Sequence, residues 1–228
     1  MGVHKQQTMT SFYIRPLLTS VELDILSEVL DCADWSKSTD RIPEYLPTGQ
    51  NNSEMVPGHL RMEASKLLFS AVDRDQGFSD RVFPKNSTDP VFSRTRAGEG
   101  FSIHHDATSV GEFSTTVFLS DPGSYDGGEL CIYLEEEVRK FKLPAGTAIT
   151  YLTAAPHCVA EVTSGVRDVG VFWTSSAVRD SRYREILADI RQARRLLPTG
   201  RTYDFNEAMA DPEFILQSVE HKLIRHFL

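Results

Sequence analysis

The stretch Phe101-Ser102-Ile103-His104-His105-Asp106 sets two imidazoles and a carboxylate side by side. Side chains alternate faces along a strand, so His104 and Asp106 point one way and His105 the other. One imidazole and one carboxylate on neighbouring same-face positions begin a metal site, and a third ligand must come from elsewhere. His4 lies in a polar N-terminal stretch, His59 follows Pro57-Gly58 ahead of a helical pattern, and His221 and His226 fall in a C-terminal helical pattern. His157 alone opens a strand pattern, Pro156-His157-Cys158-Val159-Ala160, in the same strand-rich region. His104, Asp106 and His157 therefore form a His-x-Asp…His set. Two imidazoles and one carboxylate on one side of Fe(II) leave open positions opposite, where a cosubstrate and O₂ can bind together. On spacing alone a second reading stays open: a surface turn in which Asp106 accepts hydrogen bonds.

The surrounding elements must hold these groups. Thr19-Ser20-Val21-Glu22 is a capping box ahead of an apolar series, which predicts a helix from about 20 to 32. Residues 36–53 read as a long loop, 60–74 as a second helix, and Phe83-Pro84 as its break. From residue 91 short β-rich runs follow one another: 91–96, 101–105, 113–120, 128–134, 138–143, 147–152, 157–163 and 167–174. Gly98, Pro122-Gly123, Asp126-Gly127-Gly128, Pro144-Ala145-Gly146 and Ser164-Gly165 punctuate them as turns. Eight short strands spaced this way predict a sandwich or jelly roll. The helical period returns over about 179–196 and again over 211–225. The expectation is one domain over 1–228: a loose tail at 1–10, helical support at 11–90, a β core at 91–175, and C-terminal helices at 176–228.

Composition narrows the function. Net charge is −8 with no Lys/Arg block, which argues against nucleic acid. Arg191, Arg194 and Arg195 read as a solvated helix face. The three cysteines have no CxxC spacing, and Cys131 and Cys158 read as small buried hydrophobes in a reducing compartment. No apolar run approaches the length that spans a bilayer. The expectation is a soluble cytoplasmic protein without a membrane partner; its oligomeric state is not legible.

Several stretches together resemble the prolyl-4-hydroxylase-like Fe(II)/2-oxoglutarate dioxygenases, most closely the bacterial PKHD-type hydroxylases. They run in order over most of the chain: Leu30-Asp31-Cys32-Ala33-Asp34-Trp35, Arg81-Val82-Phe83-Pro84, Phe92-Ser93-Arg94, Gly100 through Asp106, Phe118-Leu119-Ser120-Asp121-Pro122, Tyr125 through Leu130, and Leu143 through Gly146. His157 is followed ten residues later by Arg167, then by Val171-Phe172-Trp173. The resemblance implies a double-stranded β-helix core. It implies that His104, Asp106 and His157 bind Fe(II), that 2-oxoglutarate and O₂ join the metal, and that ascorbate serves as an accessory reductant. Arg167 is implied as the grip on the distal carboxylate, a task for which a planar guanidinium is suited. Thr150 and Thr115 are candidate supporting hydroxyls.

Two positions depart from the family pattern. Relatives commonly carry a cosubstrate-binding Tyr where Thr95 stands, so Thr95 or Arg96 would take that contact. Ala107 stands where PKHD relatives usually have Asn. The resemblance implies hydroxylation of an unactivated C–H, with release of succinate and CO₂; a halogenase of this type would lack the carboxylate of Asp106. The expected substrate is a small molecule, such as an amino acid or natural-product derivative. A peptidyl Pro or Lys residue is the alternative. Arg94 and Arg96 could meet an anionic substrate group, or form structural ion pairs. Two rivals would keep the β core: a non-enzymatic cupin-like module, which needs no Arg167, and a cupin isomerase, which favours more His ligands.

Overall fold

The computed structural model describes residues 12–38, 49–107, 109–198 and 204–227. The expected tail at 1–10 lies outside them. A first strand, β1 (Phe12–Pro16), leads into α1 (Ser20–Cys32). Thr19 caps this helix as the sequence predicts: its hydroxyl accepts from the Glu22 amide, and the Glu22 carboxylate accepts from the Thr19 amide. Short strands β2 (Trp35–Lys37), β3 (Gln50–Asn51) and β4 (Ser53–Met55) occupy the described part of the expected loop. Then come α2 (His59–Asp73), an unforeseen α3 (Gln76–Val82) capped by Asp75, and β5 (Pro84–Ser87).

The expected β core follows closely as β6 (Val91–Arg96), β7 (Glu99–His104), β8 (Phe113–Phe118), β9 (Tyr125–Gly127), β10 (Leu130–Tyr133), β11 (Val138–Phe141) and β12 (Thr147–Leu152). The last two expected strands are one. β13 runs unbroken from His157 to Ser176, and Ser164-Gly165 is a bend within it, not a hairpin turn. Gly165 has φ +76°, and a Cβ there would lie 2.2 Å from the Ser124 carbonyl oxygen, so only glycine fits the bend. Before the bend β13 pairs with β7, β9 and β10; after it, β13 pairs with β5, β6 and β8. One strand thereby serves both sheets of the roll. The larger sheet runs β1-β12-β8-β13-β6-β4-β2, and every described pairing is antiparallel.

Helices α1–α3 cover the outer face of the larger sheet. Leu26, Leu30, Leu68 and Phe78 pack there against Phe92, Val117, Ala148 and Phe172. A second core of Phe118, Leu130, Ile132, Ile149, Tyr151 and Val169 closes the space between the sheets. The chain ends in α4 (Ser181–Arg195), α5 (Phe205–Ala210) and α6 (Pro212–Phe227). The arginines read as a solvated face are instead ion-paired. Arg191 bonds Glu220 at 2.7 Å and Asp80 at 3.3 Å; Arg194 bonds Glu220 and Glu213, and Arg195 bonds Asp80. Their partners lie on α3 and α6, elements the helical period of α4 says nothing about.

Candidate active site

His104 closes β7 and stands directly across from His157, the first residue of β13. Both imidazoles are fixed the same way. His104 Nδ1 lies 2.8 Å from the Ser102 carbonyl oxygen, and His157 Nδ1 lies 3.0 Å from that of Ala155. A carbonyl can only accept, so each Nδ1 carries the proton and each Nε2 presents its lone pair. The two rings are 4.4 Å apart, and Phe101 stacks on His104 at 3.7 Å. Asp106 completes the group: Oδ1 is 3.7 Å from His104 Nε2, and Oδ2 is 3.7 Å from His157 Nε2. One donor atom from each residue falls within 4.8 Å of the others. Burial lowers the His104 pKa, which favours the neutral ring a metal needs. Two lone pairs and one carboxylate, each backed by a hydrogen bond, suit Fe(II).

The alternate-face rule places these residues only in part. Between the partners His104↔His157 and Phe101↔Val159, β7 spends three residues where β13 spends two. This bulge turns Ser102 and Ile103 outward and lets Phe101 and His104 both face the cavity. β7 then ends, so His105 and Asp106 are not bound by strand parity. His105, expected on the far face, also lines the cavity.

The cavity measures about 330 Å³. From β13 it receives Arg167, Val169, Val171 and Trp173, every second residue; from β6 it receives Val91, Ser93 and Thr95. Arg167 is 2% exposed, and its Nε has no hydrogen-bond partner among the described residues. The neighbouring carboxylate, Asp168, is held elsewhere: Arg94 grips it through two bonds of 2.8 and 2.7 Å across the β6–β13 ladder. Burial pulls the Arg167 pKa down, against the opposing pull of Tyr125. A buried guanidinium with an unsatisfied N–H, facing a cavity that also holds the triad, suits a ligand carboxylate. Tyr151, on β12, adds a phenol to the same wall. Its pKa is pushed well up by burial and then by the Asp106 carboxylate, so it stands as a neutral donor.

The other expected residues divide. Thr95 lines the cavity. Thr150 does not: it lies on the outer face of β12, where its hydroxyl accepts from Arg15 at 2.7 Å and pairs with Thr115 at 2.8 Å. The inward residues of those strands are the next ones along, Tyr151 and Thr116. Thr115 and Thr150 do share a face, as strand pairing requires, but it faces the helices. Arg94 likewise points away from the cavity, with its guanidinium over the Trp35 ring. Trp173, to which the sequence assigns no role, reaches Asp106 with its indole.

The comparisons agree with this geometry. The model of the 2OG-Fe(II) oxygenase superfamily matches residues 90–175, from the start of β6 to the end of β13. A PKHD-type hydroxylase of Acaryochloris marina is 34% identical, over 85% of this chain and 91% of the relative. One from Xanthomonas campestris pv. campestris is 31% identical, over 94% of this chain and 97% of its own. Among solved structures, a prolyl hydroxylase from Trichoplax adhaerens, in complex with a hypoxia inducible factor oxygen degradation domain peptide fragment, matches with a TM-score of 0.57. It is 17% identical and covers 78% of this chain and 87% of that one. A Pseudomonas putida prolyl-4-hydroxylase matches at 0.50 and 16% identity, over 74% of this chain and 94% of that one. These likenesses establish the double-stranded β-helix. By sequence the chain is a hydroxylase of the dioxygenase type, in a family that works with Fe(II), 2-oxoglutarate and O₂, and it belongs to the 2OG-Fe(II) oxygenase superfamily, among the PKHD-type hydroxylases.

Proposed function

We propose that His104, Asp106 and His157 hold Fe(II), that Arg167 grips the distal carboxylate of 2-oxoglutarate, and that the enzyme hydroxylates a small molecule. The observation that carries this reading is Arg167: a buried cation with an unsatisfied N–H, in the same cavity as two imidazole lone pairs and a carboxylate. When bound, Fe(II) with 2-oxoglutarate and O₂ supplies oxidative decarboxylation to succinate and CO₂ and delivers one oxygen atom to a C–H bond.

The chain's own residues orient and shield. The Ser102 and Ala155 carbonyls hold the His104 and His157 rings so that both Nε2 atoms point inward. Tyr151 and Thr95 offer hydroxyls beside the cosubstrate's place, and Val91, Val169, Val171 and Leu130 keep the walls apolar and exclude water. Gln50, Asn52 and Ser93 supply the substrate side. Their amides and hydroxyl form a chain, Gln50 Nε2 to Asn52 Oδ1 at 3.0 Å and Asn52 Nδ2 to Ser93 Oγ at 2.5 Å, which among the described residues leaves the Gln50 carbonyl and the Ser93 O–H for a ligand. Glu54 lines the same wall, with its Oε1 3.4 Å from Gln50 Nε2, so this side presents a carboxylate beside the neutral amides and hydroxyl.

One observation favours a peptidyl substrate instead. The cavity of about 330 Å³ must also hold the cosubstrate, which leaves room for little more than a side chain. Anaerobic addition of Fe(II) and then 2-oxoglutarate tests the cosubstrate reading. A metal-to-ligand charge-transfer band should form, vanish in Asp106→Ala and weaken in Arg167→Ala; a protein that gives no band refutes it. Incubation with small-molecule pools and with peptide libraries, read as a mass gain of one oxygen, decides the substrate class. Ascorbate added to the same succinate assay tests its part.

A further inference from the structure

Asp106 is held by two donors that arrive on different strands. The Trp173 indole N–H reaches Oδ2 at 2.7 Å, from β13. The Ser114 hydroxyl reaches the same oxygen at 2.9 Å, from β8. Ser114 Oγ also lies 3.0 Å from Thr153 Oγ1, a second acceptor for the one hydrogen it carries, so Asp106 and Thr153 share that donor. Ser114 and Thr174 are both fully buried, so this corner of the sheet has little freedom to shift.

A carboxylate oxygen presents two in-plane lone pairs. On Oδ2 the Trp173 N–H takes one, and the Ser114 hydroxyl takes the other when its hydrogen is turned to Asp106. Oδ1 stands 3.7 Å from His104 Nε2 and is the oxygen left for a metal. The arrangement matters because the backbone does not fix Asp106. β7 ends at His104, and residues 105–107 join no ladder. Oδ2 also lies 3.7 Å from His157 Nε2, so a small rotation about the last side-chain torsion would offer both oxygens to one ion. That torsion is soft in aspartate.

We propose that Trp173 is a positioning residue which, together with Ser114, holds Asp106 as a one-oxygen ligand through Oδ1. The consequence would be for the positions a bound metal keeps open. A carboxylate that chelates through both oxygens takes one position more, and that position is needed for 2-oxoglutarate or O₂. This inference rests on the metal-site reading above and adds two residues to it.

The test uses the full-length protein and Co(II) as the probe metal. Trp173→Phe keeps an aromatic ring in the wall and removes the N–H; Ser114→Ala removes the second donor. Co(II) affinity, the intensity and position of the visible Co(II) bands, and the 2-oxoglutarate affinity of the Co(II) protein are measured for each variant and for the pair. Outer-shell partners of metal ligands typically contribute 10- to 100-fold in affinity or activity. The expected result is a loss of Co(II) affinity of about tenfold or more in Trp173→Phe, larger in the pair. The visible bands should change shape as the ligand set changes, and 2-oxoglutarate should bind more weakly to the Co(II) form. A merely structural Trp173 would lower the melting temperature and leave band shape and 2-oxoglutarate affinity at wild-type values; that outcome overturns the proposal. If Trp173→Phe does not fold, Ser114→Ala alone must show the band change, and its absence also overturns the proposal. A wild-type protein that binds no Co(II) overturns both this proposal and the metal site, whereas normal wild-type binding with unchanged variants overturns this proposal alone.

Discussion

Replacing Arg167 by Met separates two parts a buried cation can play. If Arg167 supports the fold, its loss should destabilise the protein. If it waits for a ligand, its loss should leave the empty protein unharmed and weaken 2-oxoglutarate. The structure favours the second. Arg167 is 2% exposed, its Nε is unsatisfied, and the adjacent Asp168 is committed to Arg94. Desolvation of this guanidinium is therefore not offset by a carboxylate in the ligand-free protein. Met preserves most of the volume and removes the charge. Truncating one partner of a buried, hydrogen-bonded charge pair costs about 2–5 kcal/mol, much of it from the charge left behind. At about 1.4 kcal/mol per decade this is roughly a 30- to 4000-fold rise in the Kd for 2-oxoglutarate. Anaerobic titration of the Fe(II) protein measures the Kd, and thermal denaturation of the metal-free protein measures stability. The melting temperature should equal or exceed that of the wild type. A Kd within threefold of wild type, or a metal-free protein that melts many degrees lower, would refute the reasoning.

Tyr151→Phe removes the phenol that feels both the Asp106 carboxylate and the Arg167 guanidinium; 2-oxoglutarate binding should weaken about tenfold, the worth of one good hydrogen bond, with Co(II) affinity unchanged in the same titration. Thr150→Val should do the reverse: the Kd for 2-oxoglutarate stays at wild type, while loss of the acceptor for Arg15 destabilises the fold by about 1–3 kcal/mol in urea unfolding. Glu22→Gln breaks the pair with Arg74 at 2.7 and 2.5 Å and should cost about 0.5–1 kcal/mol, a value held low by solvent screening. The Glu22 carboxyl is held down to about 2, first by its hydrogen bonds to Arg74, from an ordinary 4.5. The unfolded chain therefore takes up its proton first as the solution is acidified. The stability gap between wild type and variant should be full above about pH 4.5 and disappear as pH falls through about 2.

What the sequence made legible was period, and what it hid was which face is inside. The capping box at Thr19 and Glu22 is local chemistry, and it forms as read. Thr115 and Thr150, named as supporting hydroxyls, do pair across a ladder, but a strand's sequence does not tell inside from outside. Helices α1–α3 claim the face of Thr150, so the cavity takes Tyr151 instead. The same blindness left Arg94 open as a substrate contact until Asp168, directly opposite it, was seen to hold it. His105 escaped for another reason. Parity needs a continuous ladder, and the ladder bulges at Ser102 and Ile103 and stops at His104. Trp173 could have been found, since it lies on the parity of Arg167, Val169 and Val171. Only the tertiary fold brings Asp106 within reach of its N–H.

The remaining gap concerns β13, where sequence placed a hairpin and the chain has a bend. His157 and Arg167 are ten positions apart. On a straight strand that separation is about 33 Å, far beyond the reach of one five-carbon diacid. Yet both line a single cavity of about 330 Å³. The chain must turn between them, and it turns without breaking its pairing, passing from the partners of one sheet to those of the other. Register shifts fall between Val159 and Val162 and between Val162 and Ser164, and Gly165 takes the positive φ. A hairpin would have left two strand ends free to move apart. A bent, doubly paired strand instead sets the distance from the proposed metal ligand to the proposed carboxylate anchor as a property of the sheet. Gly165, though it touches neither group, matters to their spacing on that ground, because any side chain there would press on the Ser124 carbonyl and shift Arg167 relative to His157.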